Sequence, residues 1–308
     1  MRSALLAAAL SLVGSAAFGL GPAVAPTPGT TSQVKALVTA SHRIKVLPKG
    51  LTPSLSNAVN DAPEVIYPST RVGCGSLTQC VFGDTTSATS LVLFGDSHAE
   101  MWLSAVIPWA LSQHVKLIVL TIDGCPVADV DVWLSHAQGY YTACTADRAR
   151  DIAMIVGLKP AYVVVSERTS HLKSSPTAYF SNAQWQAGLA SSLSQLKASG
   201  ARLAVIGDTT VLDSPPPVCL ASSPTNVQRC SNASPNPRLV DKNHLTAQRA
   251  AATAEGAALI DPVPWLCTTT CSPVIGDMVV YRDAYHVSNT YVTYLSKVLG
   301  AALSTALG

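Results

Sequence analysis

A short block of polar side chains interrupts an apolar run about a third of the way along the chain. Residues 91–102 read LVLFGDSHAEMW, and Ser97 falls where the apolar run gives way to a segment of helical character. A serine at this point can be a helix N-cap, and in that role neither Asp96 nor Ser97 does chemistry. It can also be a nucleophile, because its own backbone N–H at the positive end of the helix can hold an oxyanion. A serine nucleophile still needs a base.

The best candidate base lies near the C-terminus, in the segment YRDAYHVS. Asp283 and His286 are three residues apart, so on a helical turn or a tight loop their side chains share a face. Asp283 could then hold one imidazole nitrogen while the other nitrogen reaches Ser97. The alternative for this pair is a capping aspartate beside a surface histidine. The pair follows a predicted strand at Met278–Tyr281 and precedes the last helix, which favours the catalytic interpretation.

The other histidines are weaker candidates for the base. His98 adjoins Ser97, and neighbours on a helix point about 100° apart, so His98 is better suited to line the site or to accept a hydrogen bond. His171 follows a predicted strand, and we treat it, like His98, as a candidate substrate contact. The remaining histidines are assigned to the linker, loops or helix ends: His42, His114, His136 and His244.

The elements that must position these side chains follow an alternating pattern. Short aliphatic runs alternate with longer segments of helical period, which is typical of a parallel sheet covered on both faces. We predict an α/β fold: a three-layer α/β/α sandwich with a doubly wound, mostly parallel sheet of flavodoxin-like type. In such sheets ligands bind beyond the carboxyl ends of the strands, where residues distant in sequence converge. The predicted strands are 91–95, 116–122, 161–167, 202–208 and 258–261.

Composition excludes some classes of function. The chain has 308 residues, of which 48% are hydrophobic and 12% charged, enough for a substantial single core. Its net charge is only +2 and the basic residues are scattered, so we expect no nucleic-acid partner. The sequence has no C-x-x-C pair and no histidine at zinc-finger spacing, so we expect neither a metal nor a cofactor.

The N-terminus has the features of an export signal. Residues 1–25 begin Met-Arg, continue through an apolar stretch and end Ala-Val-Ala, which predicts a signal peptide. Because Pro26 disfavours cleavage at that point, an uncleaved membrane anchor is the alternative. Residues 26–60 are read as a linker that clamps onto the domain, and residues 61–308 as the catalytic domain. The protein is therefore expected to be secreted, periplasmic or otherwise associated with the cell envelope.

Eight cysteines fall into four pairs that are local in sequence. In an exported protein an even number of cysteines in this arrangement favours disulfides. Joining neighbours in order closes short surface loops and predicts the bonds Cys74–Cys80, Cys125–Cys144, Cys219–Cys230 and Cys267–Cys271.

These motifs together resemble the SGNH (GDSL-like) esterase and acyltransferase superfamily. The closer resemblance is to the extracytoplasmic SGNH domain that is fused to acyltransferase-3 membrane proteins in bacteria, and it covers most of residues 50–308. It rests on segments in the same order, namely LTPSL, GDSHAEMW, DGCPV, VVVSERT and WLCTTTCSPVIGDMVVYRDAYHVSNTY.

The resemblance implies a role for each matched residue. Ser97 would be the nucleophile, His286 the general base and Asp283 the acid that orients it. The N–H of Gly124, in DGCP, would join that of Ser97 in the oxyanion hole. The third block departs from the superfamily pattern Gly-x-Asn-Asp, since residues 166–169 read SERT. Either Arg168 replaces the missing amide donor, or the hole rests on the backbone groups of Ser97 and Gly124.

Two functions from different classes follow. The first is an enzyme that transfers or hydrolyses O-acyl groups, typically O-acetyl, on cell-envelope glycans through an acyl-serine, with activity rising through roughly pH 6–7. The second is a non-catalytic glycan-binding module of the same fold. The expected partners are a glycan or glycoconjugate substrate and a separately encoded membrane acyltransferase, and the chain itself is expected to be a monomer.

Overall fold

A six-stranded sheet forms the centre of the computed structural model, which describes residues 25–63, 80–233 and 244–308. Its strand order is β1-β3-β2-β6-β7-β9, with β1 antiparallel to β3 and every other neighbouring pair parallel. The five parallel strands confirm the predicted doubly wound sheet. The strands of the sheet are β1 (Val81–Gly83), β2 (Ser90–Gly95), β3 (Lys116–Thr121), β6 (Tyr162–Ser166), β7 (Arg202–Ile206) and β9 (Ala258–Ile260).

Helices cover both faces of the sheet. Within the described ranges the α-helices are α1 (Thr31–Ala40), α2 (Leu55–Ala58), α3 (Ser97–Glu100), α4 (Leu103–Ser112), α5 (Thr142–Leu158), α6 (Asn182–Lys197), α7 (Pro216–Ser222), α8 (Leu245–Glu255) and α9 (Asn289–Leu307). None of these described helices is both long enough and apolar enough to cross a membrane.

Alternate residues of each central strand enter different cores, as the two-residue period of a strand requires. In β2, Leu91 and Leu93 face the core built with α4 and α9. Val92 and Phe94 face the opposite core, built with α5, α6 and α8. This double burial explains why β2 reads as an unbroken apolar run.

The chain reverses its direction of winding at β2. From β2 it proceeds to β3 on one side and later returns to β6 on the other side. In α/β sheets the crevice at such a switch point is the usual ligand site. The residues after Gly95, Thr121 and Ser166 therefore meet at this edge.

The segment before the sheet lies on the surface of the same body. In α1, Val34 and Val38 are buried in the core that contains α9. The N–H of Gly29 donates to the carbonyl of Tyr294 at 2.9 Å, and the N–H of Thr52 donates to the carbonyl of Asp277 at 2.7 Å. Of the predicted N-terminal signal, residues 1–24 lie outside the described residues.

The strand predicted at Met278–Tyr281 is present but shorter, and it lies outside the six-stranded sheet. It is β12 (Met278–Val279), which pairs with β11 (Val274–Ile275), and Met278 also forms a parallel bridge with Thr52. Similar two-stranded ribbons join β4 (Trp133–Leu134) to β5 (Gly139–Tyr140), and β8 (Asn232–Ala233) to β10 (Thr270–Cys271). A short apolar run does not reveal its pairing partner, so the sequence alone did not predict these ribbons.

Candidate active site

Ser97 is the first residue of α3, directly beyond the end of β2. The cap of this helix is Asp96, whose Oδ1 accepts the N–H of His98 at 2.8 Å. Asp96 also accepts the N–H of Arg168, at 2.9 Å to Oδ2, which ties the ends of β2 and β6 together. The hydroxyl of Ser97 is therefore not needed as the cap, and its side chain is partly exposed at the carboxyl edge of the sheet.

Asp283 and His286 lie in a tight loop between β12 and α9. The loop closes through an antiparallel bridge between Tyr281 and Val287, and the N–H of Arg282 donates to the carbonyl of His286 at 3.0 Å. Asp283 Oδ1 accepts the backbone N–H groups of Tyr285 and His286, both at 2.8 Å. This loop brings the two side chains together without a helix.

The loop is docked on the segment that follows β7. The N–H of Leu212 donates to the carbonyl of Ala284 at 2.9 Å, and the hydroxyl of Thr209 donates to the carbonyl of Tyr285 at 3.1 Å. Because β7 is part of the central sheet, these bonds hold the loop at the carboxyl edge where Ser97 lies.

A continuous chain of hydrogen bonds joins the three side chains. His286 Nε2 lies 2.8 Å from Ser97 Oγ, across 189 residues of sequence. His286 Nδ1 lies 2.7 Å from Asp283 Oδ2. A carboxylate only accepts hydrogen bonds, so Nδ1 carries the proton and Nε2 is free to accept the proton of Ser97. The structure thus brings together the three residues that the sequence singled out.

The local environment sets the charges of this pair. Burial lowers the pKa of His286, and the nearby His98 and Arg282 act in the same direction while Asp283 opposes them. Burial disfavours the ionised form of Asp283, but the hydrogen bonds from the His286 ring and from two backbone N–H groups outweigh it, so the pKa of Asp283 is lowered. The ground state is therefore a neutral imidazole held by a carboxylate.

Two backbone N–H groups are available beside the serine. In the described part of the chain the N–H groups of Ser97 and Gly124 donate to no protein acceptor. Gly124 has φ +65° in the turn that follows β3, and the N–H of Ile122 donates to the carbonyl of Gly95 at 3.0 Å. These contacts place the Gly124 turn next to the end of β2.

Residues 166–169 make buried structural contacts that the sequence did not predict. Glu167 is fully buried, and its carboxylate accepts the N–H of Ala128 at 2.8 Å and that of the Trp185 indole at 2.9 Å. Burial raises the pKa of Glu167 to about 7. Arg168 stacks on Tyr285 with its guanidinium carbon 4.1 Å from the ring centre, and its Nε donates to the carbonyl of Ser170.

The two histidines expected to contact substrate lie in different surroundings. His98 is fully buried, and its Nδ1 lies 2.7 Å from Asp208 Oδ1. Its burial follows from the close contact of α3 with the sheet. His171 lies in the loop after β6 with φ +60°, and its ring meets the edge of Tyr179.

Asp208 is the residue of this region that sequence reasoning missed. It lies two residues after the end of β7 and is buried. The available signal was a carboxylate shortly after an apolar strand, near the same edge of the sheet as Asp96. Its partner His98 lies 110 residues away, and no motif links the two.

Three disulfides match the predicted pairings. The structure joins Cys125 to Cys144, Cys219 to Cys230, and Cys267 to Cys271. Cys80 is also disulfide-bonded, while its predicted partner Cys74 lies outside the described residues. The first of these bonds fixes the start of α5 beside the turn that contains Gly124.

Metal-ligating side chains do not gather in the part of the chain that the structure describes. No group of three or more histidine, cysteine, aspartate or glutamate side chains there could hold a metal ion.

Comparison with known proteins gives one family and a solved structure with a similar fold. Residues 66–301 match the family model described as SGNH domain (fused to AT3 domains). The periplasmic domain of the Salmonella ser. Paratyphi A lipopolysaccharide acetyltransferase is similar at a TM-score of 0.55 and 13% identity, over 74% of this chain and 89% of that chain. At this identity the similarity shows a shared fold.

Two further solved structures are more distant. A putative acylhydrolase from Bacteroides fragilis NCTC 9343 has 14% identity over 72% of this chain and 90% of that chain, with a TM-score of 0.43. A GDSL-like lipase from Bacteroides thetaiotaomicron VPI-5482 has 14% identity over 71% of this chain and 89% of that chain, with a TM-score of 0.39. No curated protein matches the chain by sequence.

Proposed function

The chain belongs to the family of SGNH domains that are fused to AT3 domains, and from that premise we propose that it is a Ser–His–Asp enzyme. It transfers or hydrolyses O-acyl groups, chiefly O-acetyl, on cell-envelope glycans through an acyl-serine intermediate. The observation that carries the proposal is the hydrogen-bonded chain from Asp283 through His286 to Ser97, at the switch point of the sheet.

The reaction begins with attack of Ser97 Oγ on the carbonyl carbon of the acyl donor. As the new C–O bond forms, His286 Nε2 takes the hydroxyl proton, and Asp283 stabilises the imidazolium that results. Collapse of the tetrahedral intermediate breaks the bond to the donor alcohol, which leaves with the proton from His286. A sugar hydroxyl or water then attacks the acyl-serine and gives its proton to His286. Collapse of the second intermediate breaks the acyl–Oγ bond, and His286 returns the proton to Ser97 Oγ.

The oxyanion is stabilised by backbone donors in this proposal. The N–H groups of Ser97 and Gly124 are not engaged elsewhere in the described chain and lie at adjoining ends of β2 and β3. Loss of one oxyanion donor lowers a rate by about two to three orders of magnitude, so a site without the usual amide is a slow general esterase. Such a site is better suited to a tightly held acyl donor and acceptor.

Two observations support a glycan substrate and a site of action outside the cytoplasm. The solved neighbour of highest similarity given above is a periplasmic domain of a lipopolysaccharide acetyltransferase. The disulfides require an oxidising compartment to form and persist. We further propose that a membrane acyltransferase supplies the acyl group, since AT3 domains accompany this family.

The direct test of the proposed function is hydrolysis of 4-nitrophenyl acetate by the purified protein. We expect release of 4-nitrophenol by the wild type and at least about a 10³-fold slower release by Ser97→Ala, because the acyl-serine cannot form. Ser56→Ala, which alters an exposed serine, is the matched control and should keep the wild-type rate. Equal rates for wild type and Ser97→Ala would favour the non-catalytic glycan-binding module.

The rate should also depend on pH in a defined direction. Neutral His286 is the active form, so kcat/KM rises as pH rises through the pKa of His286. Because burial lowers that pKa from its usual 6.5, the midpoint should fall below pH 6.5 and the rate should be level by pH 7. A pH–rate profile from pH 4.5 to 8.5 checks this, and a midpoint above pH 7 would contradict it.

A second group near the serine titrates in the same range and needs a control. Burial, with the nearby Asp123, raises the pKa of Glu100 to about 7, and Glu100 lies one turn along α3 from Ser97. Glu100→Gln removes this titration. The low-pH limb of the profile should persist in that variant if it belongs to His286.

A further inference from the structure

A second imidazole–carboxylate pair lies beneath the catalytic one and has no part in the reaction described above. His98 Nδ1 is 2.7 Å from Asp208 Oδ1, and the two side chains are 1% and 0% exposed. A buried charged pair of this kind is unfavourable unless its geometry and its other hydrogen bonds compensate. The geometry around Asp208 meets that condition.

Asp208 is held in place by donors on every side. Its Oδ2 accepts the N–H and the hydroxyl of Thr169, both at 2.8 Å, and its Oδ1 accepts the N–H of Thr209 at 2.8 Å. Its own N–H donates to the side chain of Gln248 at 2.9 Å. A carboxylate that accepts this many bonds stays ionised, and it fixes the ring of His98.

The ring of His98 contacts the ring of His286. Their centroids are 4.8 Å apart and the ring planes are inclined at 57°. The Nε2 atom of His98 is buried and has no hydrogen-bond partner in the described part of the chain. The two rings are therefore in contact without a hydrogen bond between them, since the nitrogens of His286 face Asp283 and Ser97.

The charged and titratable groups around the two rings come from several elements. His286 is faced by groups of its own loop and by α3, namely Asp283, Arg282, Tyr285 and His98. His98 is faced by groups that follow β2, β6 and β7, namely Asp96, Arg168 and Asp208. Asp283 and Asp208 thus each hold one of two imidazoles that are in contact.

We propose that His98 and Asp208 are positioning residues for His286: Asp208 holds His98 as a buried cation, and that cation keeps the neighbouring imidazole neutral and correctly oriented as a base. This inference rests on the proposed function for its catalytic consequence. The direction of the pKa changes agrees with it. Burial disfavours the charged form of His98, but the adjacent Asp208 outweighs burial and raises the pKa of His98, and the charge on His98 lowers the pKa of His286.

The first test measures the histidines themselves and needs no enzymatic activity. In the full-length protein labelled with ¹⁵N-histidine, NMR at pH 7 should show both nitrogens of His98 protonated and His286 neutral. A neutral His98 at pH 7 would overturn the proposal. Because this measurement uses the wild type, it stands even if the variants fail to fold or the proposed function is wrong.

The second test compares variants by the pH dependence of His286. In His98→Gln the midpoint of the His286 titration, and with it the low-pH limb of kcat/KM, should move up by about one pH unit. Asp208→Asn should also move the His286 midpoint up, by no more than His98→Gln does. The control His114→Gln changes a side chain that is 86% exposed and should leave the midpoint unchanged.

The His286 midpoint in these variants distinguishes a residue that positions His286 from one that only supports the fold. A folded His98→Gln protein whose His286 midpoint equals that of the wild type would overturn the proposal, even if its kcat were reduced. If the wild type has no acyl-transfer activity but the NMR midpoint of His286 still shifts in His98→Gln, the positioning role of His98 and Asp208 is supported. Only the proposed function is then overturned.

Discussion

Replacing Asp283 by asparagine should lower kcat by about 10⁴-fold while leaving the fold intact. The reason lies in the hydrogen bonds of the carboxylate. Asp283 Oδ1 accepts two backbone N–H groups, from Tyr285 and His286, and its Oδ2 faces the Nδ1 of His286. In the asparagine variant the amide oxygen must stay with the two backbone donors. The amide NH₂ group is then directed at the imidazole.

An NH₂ group can only donate, so it selects the wrong tautomer of His286. The Nδ1 atom becomes the acceptor and the ring proton moves to Nε2, which is the atom that must take the proton of Ser97. The measurement is kcat and KM for 4-nitrophenyl acetate, with thermal unfolding to confirm that the variant folds. Asp277→Asn, an exposed aspartate in the preceding turn, is the control. A loss below tenfold would show that Asp283 does not orient the base.

Replacing Gly95 by alanine should destabilise the protein by more than about 4 kcal/mol, an exceptional value for one substitution. Gly95 has φ +156°, and a Cβ there would lie 1.8 Å from the carbonyl oxygen of Ser166 and 3.0 Å from the Cβ of Ala99. Gly95 and Ser166 are paired in neighbouring strands. The clash is with backbone, so relief requires the ends of β2 and β6 to separate.

Urea unfolding measures this effect, with soluble yield as a second readout. Gly157→Ala is the matched control, because Gly157 lies within α5 and a Cβ there meets nothing within 4 Å. That substitution should stabilise the protein by about 0.5–1 kcal/mol, since alanine favours a helix over glycine. A folded Gly95→Ala protein whose free energy of unfolding lies within about 1 kcal/mol of the wild-type value would contradict the account.

Sequence reasoning succeeded where a physical rule acts locally. The strands β2, β3, β6 and β7 could be predicted because burial on both faces makes a parallel strand apolar throughout. The rule that parallel strands present ligands at their carboxyl ends then placed Ser97 correctly. The spacing of Asp283 and His286 was also sufficient, because a contact three residues apart depends on one loop.

Contacts between segments distant in sequence could not be predicted from local patterns. Nothing in the sequence around His98 indicates Asp208, and nothing near Glu167 indicates Ala128 or Trp185. Each of these bonds exists only after the sheet and its helices have packed. The pairing of β12 with β11 was not predicted for the same reason, since strand pairing is a tertiary property.

The central claim is that Ser97 forms a covalent intermediate, and labelling tests it most directly. The folded protein should be incubated at pH 7.5 with a fluorophosphonate probe, digested and analysed by peptide mass spectrometry, with Ser97→Ala and Ser56→Ala treated in parallel. The account predicts one probe per chain on the peptide that contains Ser97, the same label in Ser56→Ala and none in Ser97→Ala. A folded wild-type protein that takes up no probe, or takes it up at another residue, would contradict it.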